Sequence, residues 1–318
     1  MVEISVLIPT YLRPQMLRRA IDSCLAQQGI DVPFEIVVVD NDPLGSACPL
    51  VDEIAARNTV PIRYVAERRP GISRARNTAV ANAAGRYVVW LDDDEEAAPG
   101  WLAALYTTVR RYGGDVVKGP VYPCLERPNP YAEKRFTFDA RLPTGARLPE
   151  CSGIGNALLD KERCFGDDPE PFDPFLGIAG GGDTLFFRKL QRSGRRFVWC
   201  AEAAVWETGP ADRLVPRQVL RRRFHHGQIT TFVRVAVKPA QPVQAALWMA
   251  IGCVQVLLYA PAALLLWAMK SERWLAAMGQ AVGGLGKVFW HPKMHVRLYR
   301  SVLALVVMRD QLLMGIAG

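Results

Sequence analysis

Residues 1–118 alternate short β-branched runs with amphipathic stretches, and this alternation constrains the fold more than any other feature of the chain. The runs lie at 4–8, 35–39, 62–65, 86–91 and 115–117. Such spacing is the pattern of βαβ units, so the expected architecture is α/β, with a mainly parallel sheet and helices on both faces. Between the first two runs, Pro14 stands where a helix can begin. Leu17, Ala20, Ile21, Cys24 and Leu25 then recur at helical spacing, which gives that helix one buried face.

With 50% hydrophobic and 22% charged residues, the chain can bury one large core or a core with an attachment. The net charge of +8 is very unevenly placed. From residue 213 onward 14 Lys and Arg stand against Glu272 and Asp310, a balance of +12 that leaves −4 for residues 1–212. These basic residues adjoin a hydrophobic segment and lack interleaved aromatics, so nucleic acid is not an expected partner. The seven cysteines form no CxxC pair, which predicts reduced, mostly buried thiols. The first strand follows Met1 almost at once, without a basic and apolar leader, so the main domain is expected in the cytoplasm.

Prolines break residues 119–150 into a loop-rich insertion. Beyond it come a small-residue segment at 151–159, a Pro-rich loop around 169–174, a helix opened by Asp183 and closed near Gly194, and strands at 196–200 and 205–207. Residues 217–238 carry six Lys and Arg without an acid, and 239–269 then run 31 positions without a charge. About 20 apolar residues span the hydrocarbon of a bilayer. Trp248 and Trp267 sit near the ends of the uncharged run as interfacial aromatics do, with Arg234, Lys238, Lys270 and Arg273 outside it. Basic residues on both flanks leave its topology open, and Gly252 and Pro261 permit a bent or re-entrant hairpin. A second stretch, 274–290, carries Gly279 and Gly283 at GxxxG spacing and either pairs with the first or lies in the interface. The predicted organisation is therefore a catalytic-sized domain at 1–212, a basic juxtamembrane segment at 213–238 and membrane-associated helices at 239–318.

In an open α/β sheet, ligands bind at the carboxyl ends of the strands. Three polar clusters belong there: Thr10, Tyr11 and Arg13 after the first strand, Asp40, Asn41 and Asp42 after the second, and Asp92, Asp93, Asp94 and Glu95 after the fourth. Turn chemistry explains any one of them, but not all three together. Four adjacent acids repel one another unless a cation offsets them, and Mg²⁺ or Mn²⁺ shared with phosphate oxygens is the natural counter-charge. A solvated helix cap ahead of Pro99 and Trp101 is the alternative. The loop at 68–77 combines Gly71 with Arg68, Arg69, Arg74, Arg76 and Asn77 ahead of a helix, which suits an anion.

Together these residues resemble a known family, the GT-A glycosyltransferases of family 2, and within it the succinoglycan type of exopolysaccharide enzyme. The resemblance rests on Val6-Leu7-Ile8-Pro9-Thr10-Tyr11 with Arg13, Ile36-Val37-Val38-Val39-Asp40-Asn41-Asp42-Pro43, Pro70-Gly71-Ile72-Ser73 with Ala75-Arg76-Asn77, and Leu91-Asp92-Asp93-Asp94-Glu95. It continues through Gly155-Asn156 and Gly181-Gly182-Asp183-Thr184 and covers roughly residues 4–230. It implies an inverting transfer from a nucleotide sugar, a UDP-hexose by expectation, assisted by Mg²⁺ or Mn²⁺. The implied donor-binding set is Pro9, Thr10, Tyr11, Arg13, Asp40, Asn41, Gly71, Arg76, Asn77, Asp92, Asp93 and Arg223. Asp92 and Asp94 match the DxD pair, with Asp94 on the metal, and Asp183 matches the general base.

Two positions depart from the family pattern. Gly182-Asp183 stands where members commonly show Glu-Asp, and Trp206-Glu207 where many carry a His before the Glu. The run 221–227, which contains Arg221, Arg222, Arg223, His225 and His226, faces either a leaving diphosphate or anionic lipid. The expected acceptor is an oligosaccharide on polyprenyl diphosphate, reached from the cytoplasmic face of the cell membrane. Transfer to polyprenyl phosphate itself and a non-catalytic membrane scaffold are the alternatives.

Overall fold

The computed structural model describes residues 2–124, 142–208 and 215–295. Two compact units make up the chain, one of Met1–Asp173 with Phe186–Pro210 and the other of Pro174–Leu185 with Ala211–Gly318. Pro174–Leu185, which lies inside the expected domain at 1–212, joins the second unit.

The first unit runs β1 (Ile4–Thr10), α1 (Pro14–Leu25), β2 (Phe34–Asp40), α2 (Cys48–Ala55), β3 (Ile62–Ala66), α3 (Ile72–Asn82), β4 (Tyr87–Trp90), β5 (Glu95–Ala97), α4 (Trp101–Tyr112), β6 (Val116–Lys118), β7 (Val121–Cys124), β8 (Arg147–Leu148), β9 (Ala157–Asp160) and α5 (Lys161–Phe165). After α6 (Pro174–Ala179) and α7 (Gly182–Arg192), β10 (Phe197–Trp199) and β11 (Val205–Thr208) complete it. Eight strands form a sheet in the order β3-β2-β1-β4-β9-β6-β10-β8. The β3-β2-β1-β4 half is parallel, as the alternation predicts. In the other half β9 runs antiparallel to both β4 and β6. A second sheet orders β5-β11-β7.

Both faces of the large sheet are covered, and the alternation of side chains sorts them. Ile4, Val6 and Ile8 of β1 join Ile36 and Val38 of β2 in a core with Leu17, Ile21 and Cys24 of α1 and with Trp101 and Leu105 of α4. Leu7, Val37, Val39, Val88 and Trp90 face the other way, onto Ala75 and Ala79 of α3 and the aromatic group Phe165, Phe172 and Phe186. A strand buried on both faces needs a continuous apolar run, and β1 and β2 have one. Their ends, where the run gives way to Thr10 and Asp40, lie level in register.

The second unit holds α6, the first turn of α7, and α8 (Pro216–Ala236), α9 (Pro242–Ala268) and α10 (Trp274–Val288). Leu176, Leu185, Ile229, Val233 and Val237 form its small core. Helix α9 is long and apolar enough to cross a membrane. Its buried residues, Ala245, Gly252 and Ala263, make one seam of small side chains. Val243, Leu247, Leu257, Leu258, Leu264 and Trp267 are exposed elsewhere around it. An apolar helix with so narrow a packed seam is suited to lipid on its remaining faces.

Glycines of α10 let the neighbouring backbones approach. A Cβ on Gly284 would stand 2.6 Å from the Gly252 carbonyl of α9, and one on Gly286 would collide with the Phe224 carbonyl of α8. The pair expected from spacing, Gly279 and Gly283, is looser, since a Cβ on either meets Arg223 only at 3.5 Å.

Candidate active site

Strands β1, β2 and β4 deliver their polar ends to one edge of the large sheet, the crevice in which ligands of open α/β sheets bind. After Thr10 the chain turns at Leu12, whose φ of 55° is unusual for a branched residue. Beyond that turn Arg13 Nη1 bridges Asp93 Oδ1 and Asp94 Oδ2, at 3.1 Å each. Thr10 Oγ1 donates to Asp93 Oδ2 at 2.8 Å. Pro9 is the penultimate residue of β1, and Tyr11 follows its end.

The end of β2 organises the loop around it. Asp40 is wholly buried, and its carboxylate accepts from the backbone N–H groups of Asp42 (2.9 Å) and Ala47 (2.8 Å) and from the Tyr64 hydroxyl (3.2 Å). Asn41 holds the glycine loop from both sides of its amide. Nδ2 donates to the carbonyls of Glu67 and Arg69 at 2.8 Å, and Oδ1 accepts the Gly71 N–H at 2.9 Å. Glu67 accepts from Arg69 Nε (2.9 Å), Arg69 Nη2 (2.8 Å) and Thr78 Oγ1 (2.7 Å). Hydrogen bonds from Arg69, then from Thr78, pull its carboxyl down to about 2.

Helix α3 brings Arg76 and Asn77 to the same region. Asn77 exchanges two hydrogen bonds with the backbone of Phe172, at 2.9 and 3.0 Å, so its amide braces that loop. Arg76 is buried, with its guanidinium carbon 5.8 Å from the Phe172 ring centroid, and its Nε has no hydrogen-bond partner among the described residues.

The acidic run is tightly packed. Asp93, Asp94 and Glu95 are buried and Asp92 is half-buried. Glu95 turns back so that its Oε2 accepts the Asp92 N–H at 2.9 Å. Strand β11 pairs Glu207 with Glu95, and Thr208 N–H donates to the Asp94 carbonyl at 2.8 Å. Burial raises the Asp92 carboxyl to about 7, opposed by Arg76 and reinforced by Asp94, Glu207 and Asp93. Burial and then Asp92 push Glu95 well above its ordinary value. Asp93 is also raised by burial, against the pull of Arg13 and Thr10. Even with Arg13 and Arg76 present, negative charge is in excess here.

Gly155 and Asn156 form the opposite wall. A Cβ on Gly155 would stand 2.6 Å from Glu95 Oε1, so any larger residue there must displace that carboxylate. Asn156, at φ 51°, is fully buried. It donates to the Pro120 and Ala203 carbonyls at 2.8 Å and accepts from Trp101 Nε1 at 2.7 Å. Lys118 Nζ donates to the carbonyls of Gly153 and Gly155, tying this wall to β6.

Asp183 and Arg223 belong to the second unit. Gly181, at φ 93°, lies against Ile229, and a Cβ there would come within 2.7 Å of that side chain. Asp183 stands inside the first turn of α7, one residue past the start at Gly182, with Oδ1 accepting the Thr184 N–H at 2.8 Å. On α8, His226 lies within electrostatic reach of Asp183, Arg223 and Lys287.

The sequence matches the Glycosyl transferase family 2 model over residues 5–161. It is 32% identical to the succinoglycan biosynthesis protein ExoM of Rhizobium meliloti, over 71% of this chain and 73% of that one. The chain belongs to glycosyl transferase family 2. A second relative of this family 2 glycosyltransferase, succinoglycan biosynthesis protein ExoW of the same organism, is 32% identical over 64% of this chain and 68% of its own. Among solved structures, TarS 1-349 of S. aureus in complex with UDP superposes with a TM-score of 0.53 at 17% identity, covering 90% of each chain. GalNAc-T7 with UDP, GalNAc and Mn²⁺ gives 0.52 at 18% identity over 66% of this chain and 44% of the other. These likenesses establish the GT-A fold for this glycosyltransferase.

The donor atoms around the acidic run are all oxygen, in groups that lack sufficient positive charge, and this chemistry fits a hard divalent cation. Among the described residues no three or more His, Cys, Asp or Glu side chains are arranged to hold a metal ion unaided. The sequence singled out the run 92–95, with Asp92 and Asp94 as the metal pair, and left the part of Glu207 open; the structure adds Glu207 to the same cluster. The place of Gly155 against Glu95 was signalled only by its motif, and Lys118 by nothing in its surroundings.

Proposed function

We propose that this family 2 glycosyltransferase moves a sugar from a nucleoside diphosphate, a UDP-hexose in the first instance, to a lipid-linked oligosaccharide with inversion at the anomeric carbon. The excess of buried carboxylate at the end of β4, facing the unpartnered Arg76 Nε, is the observation that carries the reading. Asp94 and Asp92 would hold Mg²⁺ or Mn²⁺, which when bound supplies positive charge to the diphosphate. UDP and UDP-GlcNAc complexes of S. aureus TarS, and the Mn²⁺ with UDP in GalNAc-T7, support that donor class and that ion.

The chain's own groups then divide the work. Pro9, Thr10, Tyr11 and Arg13 line the nucleoside side, and Arg13 and Thr10 fix Asp93. Asp40 and Asn41 shape the loop that carries Gly71, while Arg76 and Asn77 brace its other flank. Asp183 takes the proton of the acceptor hydroxyl as the new oxygen–carbon bond forms and the bond to the nucleoside diphosphate breaks. Arg223, by the family resemblance, adds positive charge on the donor side. Names of the relatives ExoM and ExoW point to polysaccharide assembly. The lipid acceptor and a cell-membrane location with the catalytic domain on the cytoplasmic side rest on the exposed apolar faces of α9 and its basic flanks.

Purified full-length protein in detergent, screened against nucleotide sugars with Mn²⁺ or Mg²⁺, is expected to release free nucleotide from one of them when a polyprenyl-diphosphate-linked acceptor is supplied. Absence of turnover and of binding with every donor overturns the reading. Asp183→Asn separates the rival acceptor, because polyprenyl phosphate needs no deprotonation and would still be glycosylated.

A further inference from the structure

Lys287 interrupts an otherwise apolar and glycine-rich helix, α10, and only 8% of it is exposed. Its Nζ donates to Gln255 Oε1 on α9 at 2.8 Å and stands 5.7 Å from the Trp248 ring centroid. An ammonium group has three donors, and Gln255 is its one hydrogen-bond partner among the described residues. No carboxylate among them pairs with it. A buried charge without a counter-ion is costly, and such groups are kept where a ligand completes them. Asp183 acts on His226 without pairing with Lys287, and the charge that acts on Lys287 is a like one. Arg223 of α8 lies within electrostatic reach of Lys287, and both act on His226.

The packing shows that this position is built. Gly252 and Gly284 meet beside Lys287, where a Cβ on Gly252 would stand 2.9 Å from the lysine Cβ. The Lys287 carbonyl is taken by Thr231 Oγ1 at 2.9 Å, and Gln228 Nε2 secures the chain just beyond at the Phe289 and Met294 carbonyls, at 2.8 Å. Gln255, which receives the ammonium, stands between Val254 and Leu257, exposed by 53% and 73%. The ammonium is thus held against the helix whose other faces suit lipid.

We propose that Lys287, with Arg223 beside it, binds the diphosphate of the lipid-linked acceptor, whose hydrocarbon chain would run along α9. This inference rests on the transferase reading and deepens it by naming the residues that recognise the acceptor's anionic end. Two phosphate groups supply the oxygens that the free N–H donors of Lys287 and the guanidinium of Arg223 need. Lys287 is a binding residue and takes no part in bond making.

Full-length protein in dodecyl maltoside micelles, titrated with undecaprenyl diphosphate, tests this directly. Lys287→Gln is expected to weaken binding about tenfold, the scale of one lost charge-assisted hydrogen bond, and Lys287→Arg to restore most of it. Affinity for the nucleotide sugar should be unchanged in both. Arg223→Gln, at an exposed position, should weaken the lipid less and provides the comparison should the buried variant fail to fold. Equal lipid affinity in wild type, Lys287→Gln and Arg223→Gln overturns the site, as does a fall confined to the nucleotide sugar. Binding of undecaprenol as tight as that of the diphosphate, or equal competition by phosphatidylglycerol, overturns it too. The two failures are distinct. An unchanged Lys287→Gln refutes this site while the wild type still binds nucleotide sugar, whereas a wild type that binds none refutes the transferase reading itself.

Discussion

Gly155 and Glu95 meet so closely that a Cβ on the glycine would stand 2.6 Å from Glu95 Oε1. Through that carboxylate the glycine also governs Asp92, because Glu95 Oε2 accepts the Asp92 N–H at 2.9 Å. Gly155→Ala therefore has to move Glu95, and with it Asp92. Overpacking of this kind costs about 1–3 kcal/mol. We expect a loss of stability in that range by urea unfolding, with kcat/KM for nucleotide-sugar turnover lowered at least about tenfold.

Asn41 ties the end of β2 to the glycine loop with three hydrogen bonds, to the carbonyls of Glu67 and Arg69 and from the Gly71 N–H. Asn41→Ala leaves these backbone groups without their partner. An unsatisfied buried polar group costs about 1–3 kcal/mol, so the variant should lose about 2 kcal/mol and bind nucleotide sugar more weakly. Equilibrium unfolding and calorimetry measure the two effects separately, and a change in neither would show that the loop holds its shape without Asn41.

Glu67 gives a pH signature. Its carboxyl is held at about 2 in the folded chain against an ordinary 4.5, chiefly by hydrogen bonds from Arg69. A depressed folded value adds stability that is fully present above the ordinary value and is lost as pH falls through the folded one. The gap in stability between wild type and Glu67→Gln should thus stay constant above pH 4.5 and close towards pH 2. Arg69 is largely exposed, so solvent and salt screen its charge and added salt should narrow the gap.

Asp183 should separate chemistry from binding. General base catalysis contributes about 10²- to 10⁴-fold, so Asp183→Asn is expected to lower transfer to an acceptor hydroxyl by at least about 10²-fold. Affinity for the nucleotide sugar should stay at the wild-type level. Single-turnover kinetics with and without acceptor distinguishes this from a role for Asp183 in starting the helix α7.

Much of this arrangement was legible in the sequence because β1, β2 and β4 are continuous apolar runs that stop abruptly at Thr10, Asp40 and Asp92. A parallel sheet buried on both faces imposes that contrast, so the strand ends and the crevice could be read without coordinates. Strand β9 was not. Ala157–Asp160 is four residues long and antiparallel, and its small neighbours mask any period. Strand β5 was hidden for another reason, since Glu95 and Glu96 are unusual strand residues and read as a continuation of the acidic turn. Helix α6 lies where prolines suggested a loop, because Pro174 occupies its first position, where the missing N–H does no harm.

The same contrast explains which residues the sequence singled out. Asp92, Asp94 and Asp183 stand out as acids placed where a fold of this kind exposes its ends. Glu207 joins the cluster through the pairing of β11 with β5, a register that no local pattern announces. Asp40 and Asn77 were expected at the nucleotide. Their hydrogen bonds run to Asp42, Ala47 and Tyr64, and to Phe172, which gives both a part in shaping the loops around it. Arg223 and Asp183 fall in the second unit, which also holds the buried Lys287 that broke the apolar pattern of α10.

The central claim is that the acidic cluster after β4 binds a divalent cation together with a nucleoside diphosphate. Isothermal titration calorimetry of the full-length protein with a nucleotide sugar, in Mn²⁺ and again in EDTA, tests it most directly. Binding is expected to be strong with Mn²⁺, lost in EDTA, and reduced in Asp94→Asn even at saturating metal. Binding of equal strength with and without metal, or none with any nucleotide sugar in a folded protein, would contradict it.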